Sequence, residues 1–220
     1  MGVTFENIKN NAAIQTYIRK ADEALSALGY TEHSFPHVLR VANDAAYILE
    51  TLGYNAHEIE LVKIASYMHD IGNLVNRTDH SQSGAVMAFR ILDKLGMESE
   101  DIASIVSTIG NHDEGTGVPI NAMAAALILA DKSDVRRTRV RNTDVSSFDI
   151  HDRVNYSVKQ SKLSIDDAHE YITLLLDVDT EYGSVMDYFE IFLNRMLMCR
   201  KAAERLGLQF KLVINEQHLI

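Results

Sequence analysis

The stretch that decides the fold runs from Ala56 to Gly72 and reads AHEIELVKIASYMHDIG. Val62, Ala65 and His69 follow one another at steps of three and four, the spacing that puts side chains on one face of an α-helix. The apolar stripe of this helix therefore runs into a histidine. Asp70 is next, about 100° round the helix. Two metal-ligand-type groups thus stand where a core is expected.

The same arrangement recurs on both sides of this stretch. In a helix expected over 36–52, His37 leads into Val41, Ala45 and Ile48. Over 99–111, Ile102, Ile105 and Ile109 lead to His112. His80 precedes Gly84, Met87 and Ile91 of a helix over 81–95. Over 120–138, Met123 and Leu127 lead to Asp131. Four histidines and two aspartates begin or end core-facing stripes on five helices. Burying a carboxylate without a partner costs several kcal/mol, and a divalent cation would offset that cost. Imidazole nitrogen and carboxylate oxygen suit Fe, Mn, Zn or Co. Six ligands exceed what one catalytic metal needs and suffice for two metals sharing Asp70. On spacing alone, core histidines satisfied by their neighbours remain the competing reading.

Leu28-Gly29, Leu52-Gly53, Leu95-Gly96 and Leu206-Gly207 look like four helix stops, with glycine in the left-handed position that closes a helix. Further helices are expected over 7–28, 164–169 and 183–206, with Ser99 and Ser184 as N-caps. With only 2 prolines in the chain, the expected fold is mainly α, an antiparallel helical bundle. Two apolar, β-rich segments, Tyr171–Val178 and Leu208–Asn215, flank the last helix. They predict a small C-terminal strand pair carrying a long helix. Residues 139–160 read as a long loop. The organisation expected is a helical core over 1–138 with an extension, 139–220, packed on it.

The chain has 220 residues, 46% of them hydrophobic and 24% charged, which permits a full-sized core and excludes disorder. Its net charge of −10 argues against a broad nucleic-acid surface or an anionic membrane as partner. The longest apolar run, Ala122–Ala130, is too short for the ~20 residues of a membrane span. The first residues show no apolar signal segment. The single cysteine, Cys199, rules out an internal disulfide and fits a reducing compartment; Met196, Leu197 and Met198 beside it predict a buried thiol. A soluble, cytoplasmic protein is the expectation.

His37-x-x-Arg40-Val41-Ala42, then Tyr67-Met68-His69-Asp70-Ile71-Gly72, then Ala130-Asp131 resembles the HD superfamily of metal-dependent phosphohydrolases. The ordered pattern covers about residues 33–137. His80 and His112 fall where two-metal members carry two more histidines. The resemblance implies an HD-type helical bundle and a phosphomonoesterase or phosphodiesterase activity. It implies that His37, His69, Asp70 and Asp131 bind a first metal, that Asp70 bridges, and that His80 and His112 hold a second. His33 rivals His37, but it precedes Pro36 and falls outside the helix. Two divalent ions are expected, Fe or Mn first, with Zn, Co, Mg or Ni as the other candidates. They would acidify a bridging water to a hydroxide nucleophile.

One departure concerns Asn73, which stands where many members have a lysine that contacts phosphate. A basic run, Lys132, Arg136, Arg137, Arg139 and Arg141, offers substitutes, with Lys132 and Arg136 expected on one helix face. Lys132, Arg136 and Arg40 are the expected substrate contacts, although Arg40 also suits a pair with a buried acid. Asp113 and Glu114 are candidates for the general acid, alongside Asp70 as bridging ligand, and Asp134 for orienting a ligand. The expected substrate is a small phosphorylated metabolite, nucleotide-like, carrying an ester or anhydride. A non-catalytic nucleotide- or metal-binding sensor is the alternative. The tail is expected to cap the site or to pair in a homodimer.

Overall fold

The HDIG helix, α4 (Ala56–Met68), opens on a reciprocal cap. Asn55 accepts from the Glu58 amide while Glu58 accepts from the Asn55 amide, satisfying amides that have no intrahelical partner. It ends four residues earlier than expected. Ile71–Leu74 forms a 3-10 turn instead. The cause is contact at Gly72: a Cβ there would lie 1.9 Å from the His80 carbonyl oxygen and 2.5 Å from the Gly84 amide nitrogen. Glycine lets the chain turn against the start of α5 (His80–Lys94), and that turn carries Asp70 into the interior.

The computed structural model describes residues 2–219. The remaining helices are α1 (Phe5–Lys9), α2 (Ala12–Ala27), α3 (Phe35–Thr51), α6 (Ser99–Gly110), α7 (Ala122–Ser133), α8 (Ile150–Ser157) and α9 (Val185–Arg205). The four expected glycines close α2, α3, α5 and α9 at φ 77–82°. The helix expected over 7–28 is broken, because Asn11 accepts from the amides of Ala13 and Ile14 and starts α2 afresh. Ser184 caps α9 as expected, but Glu98, not Ser99, holds the cap position of α6.

Helix α7 is the centre of the bundle, packed between α3 and α9 and against α4. Its residues Met123–Ala130 are buried all round, so it needs no polar face. It stops at Ser133, short of the expected 138, and Arg136 therefore lies beyond it instead of sharing a face with Lys132.

The tail holds a four-stranded sheet in the order β1 (Val158–Ile165), β2 (Tyr171–Val178), β3 (Gln209–Ile214), β4 (Gln217–His218). The two expected strands are β2 and β3. They pair in parallel through the α9 crossover, while β1 and β4 add antiparallel edges. The expected loop over 139–160 in fact contains α8 and the start of β1. The expected helix 164–169 is the end of β1 and a turn, with His169 at φ +52°. Ile172, Leu174, Leu176 and Val178 are the buried, alternate residues of β2. They join one apolar cluster with Phe192, Met196 and Cys199 of α9 and with the helical bundle. Among the described residues no helix is long and apolar enough to cross a membrane.

Candidate metal centre and substrate cavity

Five helices deliver ligand-type groups to one buried point. His37 comes from the first turn of α3, His69 and Asp70 from the end of α4, His80 from the start of α5, His112 from just past α6 and Asp131 from α7. The four imidazoles and Asp70 are buried, each 5% exposed or less. His37 Nε2 lies 3.6 Å from Asp70 Oδ2 and 3.4 Å from Asp131 Oδ1. His69 Nε2 lies 3.2 Å and 3.7 Å from the same two oxygens. On the other side, His80 Nε2 lies 3.5 Å from Asp70 Oδ1. Three sets of ligand atoms gather within 4.8 Å: His37, His69 and Asp70; His69, His112 and Asp131; Asp70, His80 and His112. Asp70 belongs to the first and the third. His33 belongs to none, although its ring stands 5.5 Å from that of His37.

The outer nitrogens fix the tautomers. Nδ1 of His69, His80 and His112 meets the backbone oxygens of Ser66, Arg77 and Ile109 at 2.7, 3.0 and 2.7 Å. Nδ1 of His37 meets Asp134 Oδ2 at 2.8 Å. A carbonyl or carboxylate oxygen only accepts, so each Nδ1 donates and each neutral ring turns a bare Nε2 lone pair inward. Nε2 of His37 and of His69 has no hydrogen-bond partner although buried, which is costly. His80 Nε2 and His112 Nε2 face each other at 3.2 Å, a repulsive pair of lone pairs unless a cation lies beside them. The residues therefore fit a metal centre: inward Nε2 donors, two carboxylates and outer-shell acceptors that orient the rings.

Charge agrees with this. Burial would lower the His69 pKa, but Asp70 and Asp131 outweigh it and raise it to about 10. His112 is held well below the usual range by burial and by the charges of His69 and Lys132, and His80 is lowered chiefly by burial. The cluster thus draws in a proton at His69 and disfavours one at His80 and at His112.

Asp134 is the hub behind His37. It is fully buried, and Arg136 forks onto it at 2.5 and 3.0 Å. Arg40 Nε stands 3.5 Å away and Arg139 Nη1 3.9 Å. Burial would raise its carboxyl pKa, but His37 and the guanidinium groups outweigh this and hold it far below the carboxylate range. Asn73 performs a similar task for Asp70, donating from Nδ2 to Oδ1 at 2.9 Å.

A cavity of about 330 Å³ opens from the cluster, with Asp70, His80, Asp131 and Lys132 in its wall. Tyr30, Arg77, Phe192 and Arg195 line it as well, and α8 contributes His151, Asp152 and Asn155 together with its N-cap Asp149. Of the expected substrate contacts, Lys132 reaches it, held 2.7 Å from Asp131 and 3.2 Å from Glu114. Arg40 and Arg136 are absent from its described lining; Arg40 instead donates to the Ser161 carbonyl and faces Asp44 at 3.4 Å. Of the other cations, Arg137 stacks on Tyr156, with its guanidinium carbon 4.4 Å from the ring centre, and Arg141 pairs with Asp22. Glu114 is also held by Arg195 at 2.6 Å. Burial would raise its carboxyl pKa, but Lys132 and Arg195 outweigh this and bring it to about 2. Asp113 stands 3.9 Å from His80 Nε2. Cys199 is buried, and burial pushes its thiol up to about 12.

Tyr30, Arg77 and Arg195 are site residues that the sequence reading missed. Arg195 carries a signal in hindsight, since it falls three residues after Phe192 on the buried stripe of α9. Arg77 lies in an irregular turn, where no period marks it.

The HD domain family model matches residues 35–153, more than half of the chain. An uncharacterized protein of Methanocaldococcus jannaschii, MJ1020, is 26% identical over 170 residues, 67% of this chain. The chain spans 65% of the length of that relative. A solved structure, a predicted HD superfamily hydrolase from an uncultured Thermotogales bacterium, is 24% identical with a TM-score of 0.44. It covers 56% of this chain and 67% of its own. His37, His69, Asp70 and Asp131 lie inside the matched region and meet at one point, and the chain belongs to the HD domain family.

Proposed function

We propose that the protein is a divalent-metal-dependent phosphohydrolase that cleaves an ester or anhydride of a small, nucleotide-like phosphorylated metabolite. The observation that carries this is the convergence of four inward Nε2 atoms and two carboxylates at the base of a cavity. In this reading His37, His69, Asp70 and Asp131 would hold one ion, and His80 and His112, with Asp70, the other. The mixed nitrogen and oxygen donor set favours Fe or Mn. Two such ions, when bound, would supply Lewis acidity for a water and for the phosphoryl group.

The chain's own groups do the rest. Lys132, pinned by Asp131 and Glu114, places a fixed ammonium beside the phosphoryl oxygens, a charge oriented before the substrate arrives. Glu114, an ion at neutral pH, holds Lys132 in place. It carries no proton to donate, which leaves water or Asp113 as the source of the proton for the leaving oxygen. The cavity volume of about 330 Å³ matches a small ligand.

The test is hydrolysis of p-nitrophenyl phosphate, bis-p-nitrophenyl phosphate and a nucleotide panel with Mn or Fe. Release of phosphate from at least one class, abolished by Asp70→Ala together with metal content, is expected. Stoichiometric nucleotide binding with no turnover of any substrate would replace the hydrolase with a sensor.

A further inference from the structure

Four cations line the cavity: Arg77, Lys132, Arg139 and Arg195. Three are committed to acids or to backbone. Lys132 faces Asp131 and Glu114, and Arg195 binds Glu114. Arg139 donates to the backbone oxygens of Glu32 and Asp134. Arg77 alone among them has no carboxylate within 4.0 Å among the described residues. Yet it is held. Its Nη1 donates to Asn73 Oδ1 at 3.2 Å, and Asn73 in turn donates to Asp70 Oδ1 at 2.9 Å. Its guanidinium carbon stands 5.5 Å from the centre of the Tyr30 ring, a cation–π contact that fixes the plane of the fork. Its backbone oxygen accepts from His80, so the residue is tied to both sides of the proposed metal pair.

A positioned guanidinium without a counter-ion, two hydrogen bonds from the bridging carboxylate, is built to receive an anion. We propose that Arg77 binds the non-bridging oxygens of the substrate's phosphoryl group, with Asn73 and Tyr30 as the residues that position it. The proposal rests on the phosphohydrolase reading above. Its chemistry is that of a planar fork on two phosphate oxygens.

The experiment compares wild type, Arg77→Ala, Arg77→Lys and Asn73→Ala. Bound metal is counted, inorganic phosphate binding is followed by 31P NMR, and KM and kcat are measured on p-nitrophenyl phosphate. Arg77→Ala should weaken phosphate binding and raise KM about 10- to 100-fold, the worth of a charge-assisted hydrogen bond, with metal content unchanged. Arg77→Lys should recover part of that loss, because charge returns without the fork. Asn73→Ala should show a smaller rise in KM. Unchanged phosphate affinity and KM in Arg77→Ala, with wild type active and metal-loaded, would overturn the role of Arg77 and leave the phosphohydrolase standing. Lost metal in Arg77→Ala would make it a structural residue and also overturn the role. A wild type that holds metal but binds no phosphate and cleaves no phosphate ester would overturn both.

Discussion

Asp134→Ala is the substitution that exposes how the proposed metal centre is supported. It touches no proposed metal ligand except through His37, whose Nδ1 it accepts at 2.8 Å. Removing it strands that donor and leaves Arg136 and Arg139 around a hole with no carboxylate, while Arg40 keeps only Asp44. Breaking a buried ion pair by deleting one partner costs about 3–5 kcal/mol. At about 2–4 °C per kcal/mol for a chain of this size, that is a fall in Tm of roughly 6–20 °C. His37 also loses the acceptor that fixes its tautomer, and outer-shell losses of this kind cost roughly 10–100-fold in metal affinity. Asp134→Asn keeps the volume and one acceptor, so its losses should fall between those of wild type and Ala. Calorimetry gives the first quantity and competition with a chelator the second. If Asp134→Ala melts within about 2 °C of wild type and holds metal equally tightly, the support assigned to Asp134 is wrong.

Three further outcomes are expected. Gly72→Ala should disrupt the centre through backbone, since its Cβ would meet the His80 carbonyl oxygen at 1.9 Å; a metal count equal to wild type would contradict the close approach. Glu114 has its folded pKa depressed from 4.5 to about 2, so its stability contribution is full above pH ~4.5 and is lost as pH falls toward 2. The shift corresponds to about 3 kcal/mol, and Glu114→Gln should flatten that part of the stability profile of metal-free protein; parallel profiles would refute the pairing. Cys199, with its thiol near 12, should resist alkylation at pH 8 until the protein is unfolded, and rapid labelling of native protein would contradict its burial.

The His/Asp cluster was readable from sequence because each of its members sits at the end of an apolar helical stripe, and helical periodicity survives whatever packs around it. His69 on the stripe of Val62 and Ala65 shows this. What periodicity cannot carry is partner choice. Arg136 looked free in the basic run, yet α7 ends at Ser133 and the chain folds back to place Arg136 on Asp134. Strand β1, Val-Lys-Gln-Ser-Lys-Leu-Ser-Ile, was hidden because an edge strand with solvent on one side has few apolar residues to alternate. The 3-10 turn after Met68 arises from the contact of Gly72 with α5, which no local pattern announces. Arg77 and Tyr30 reach the cavity from irregular segments and are recognised by geometry alone.

The central claim, that six side chains from five helices form one two-metal centre, is tested most directly by counting metal. Protein reconstituted with Mn or Fe and passed through a desalting column should carry two equivalents per chain by elemental analysis. Asp70→Ala, which removes the bridge, should carry none, and His112→Ala should carry about one. A wild type that retains no metal with any of Fe, Mn, Zn or Co, or an Asp70→Ala variant that still binds two, would contradict the account.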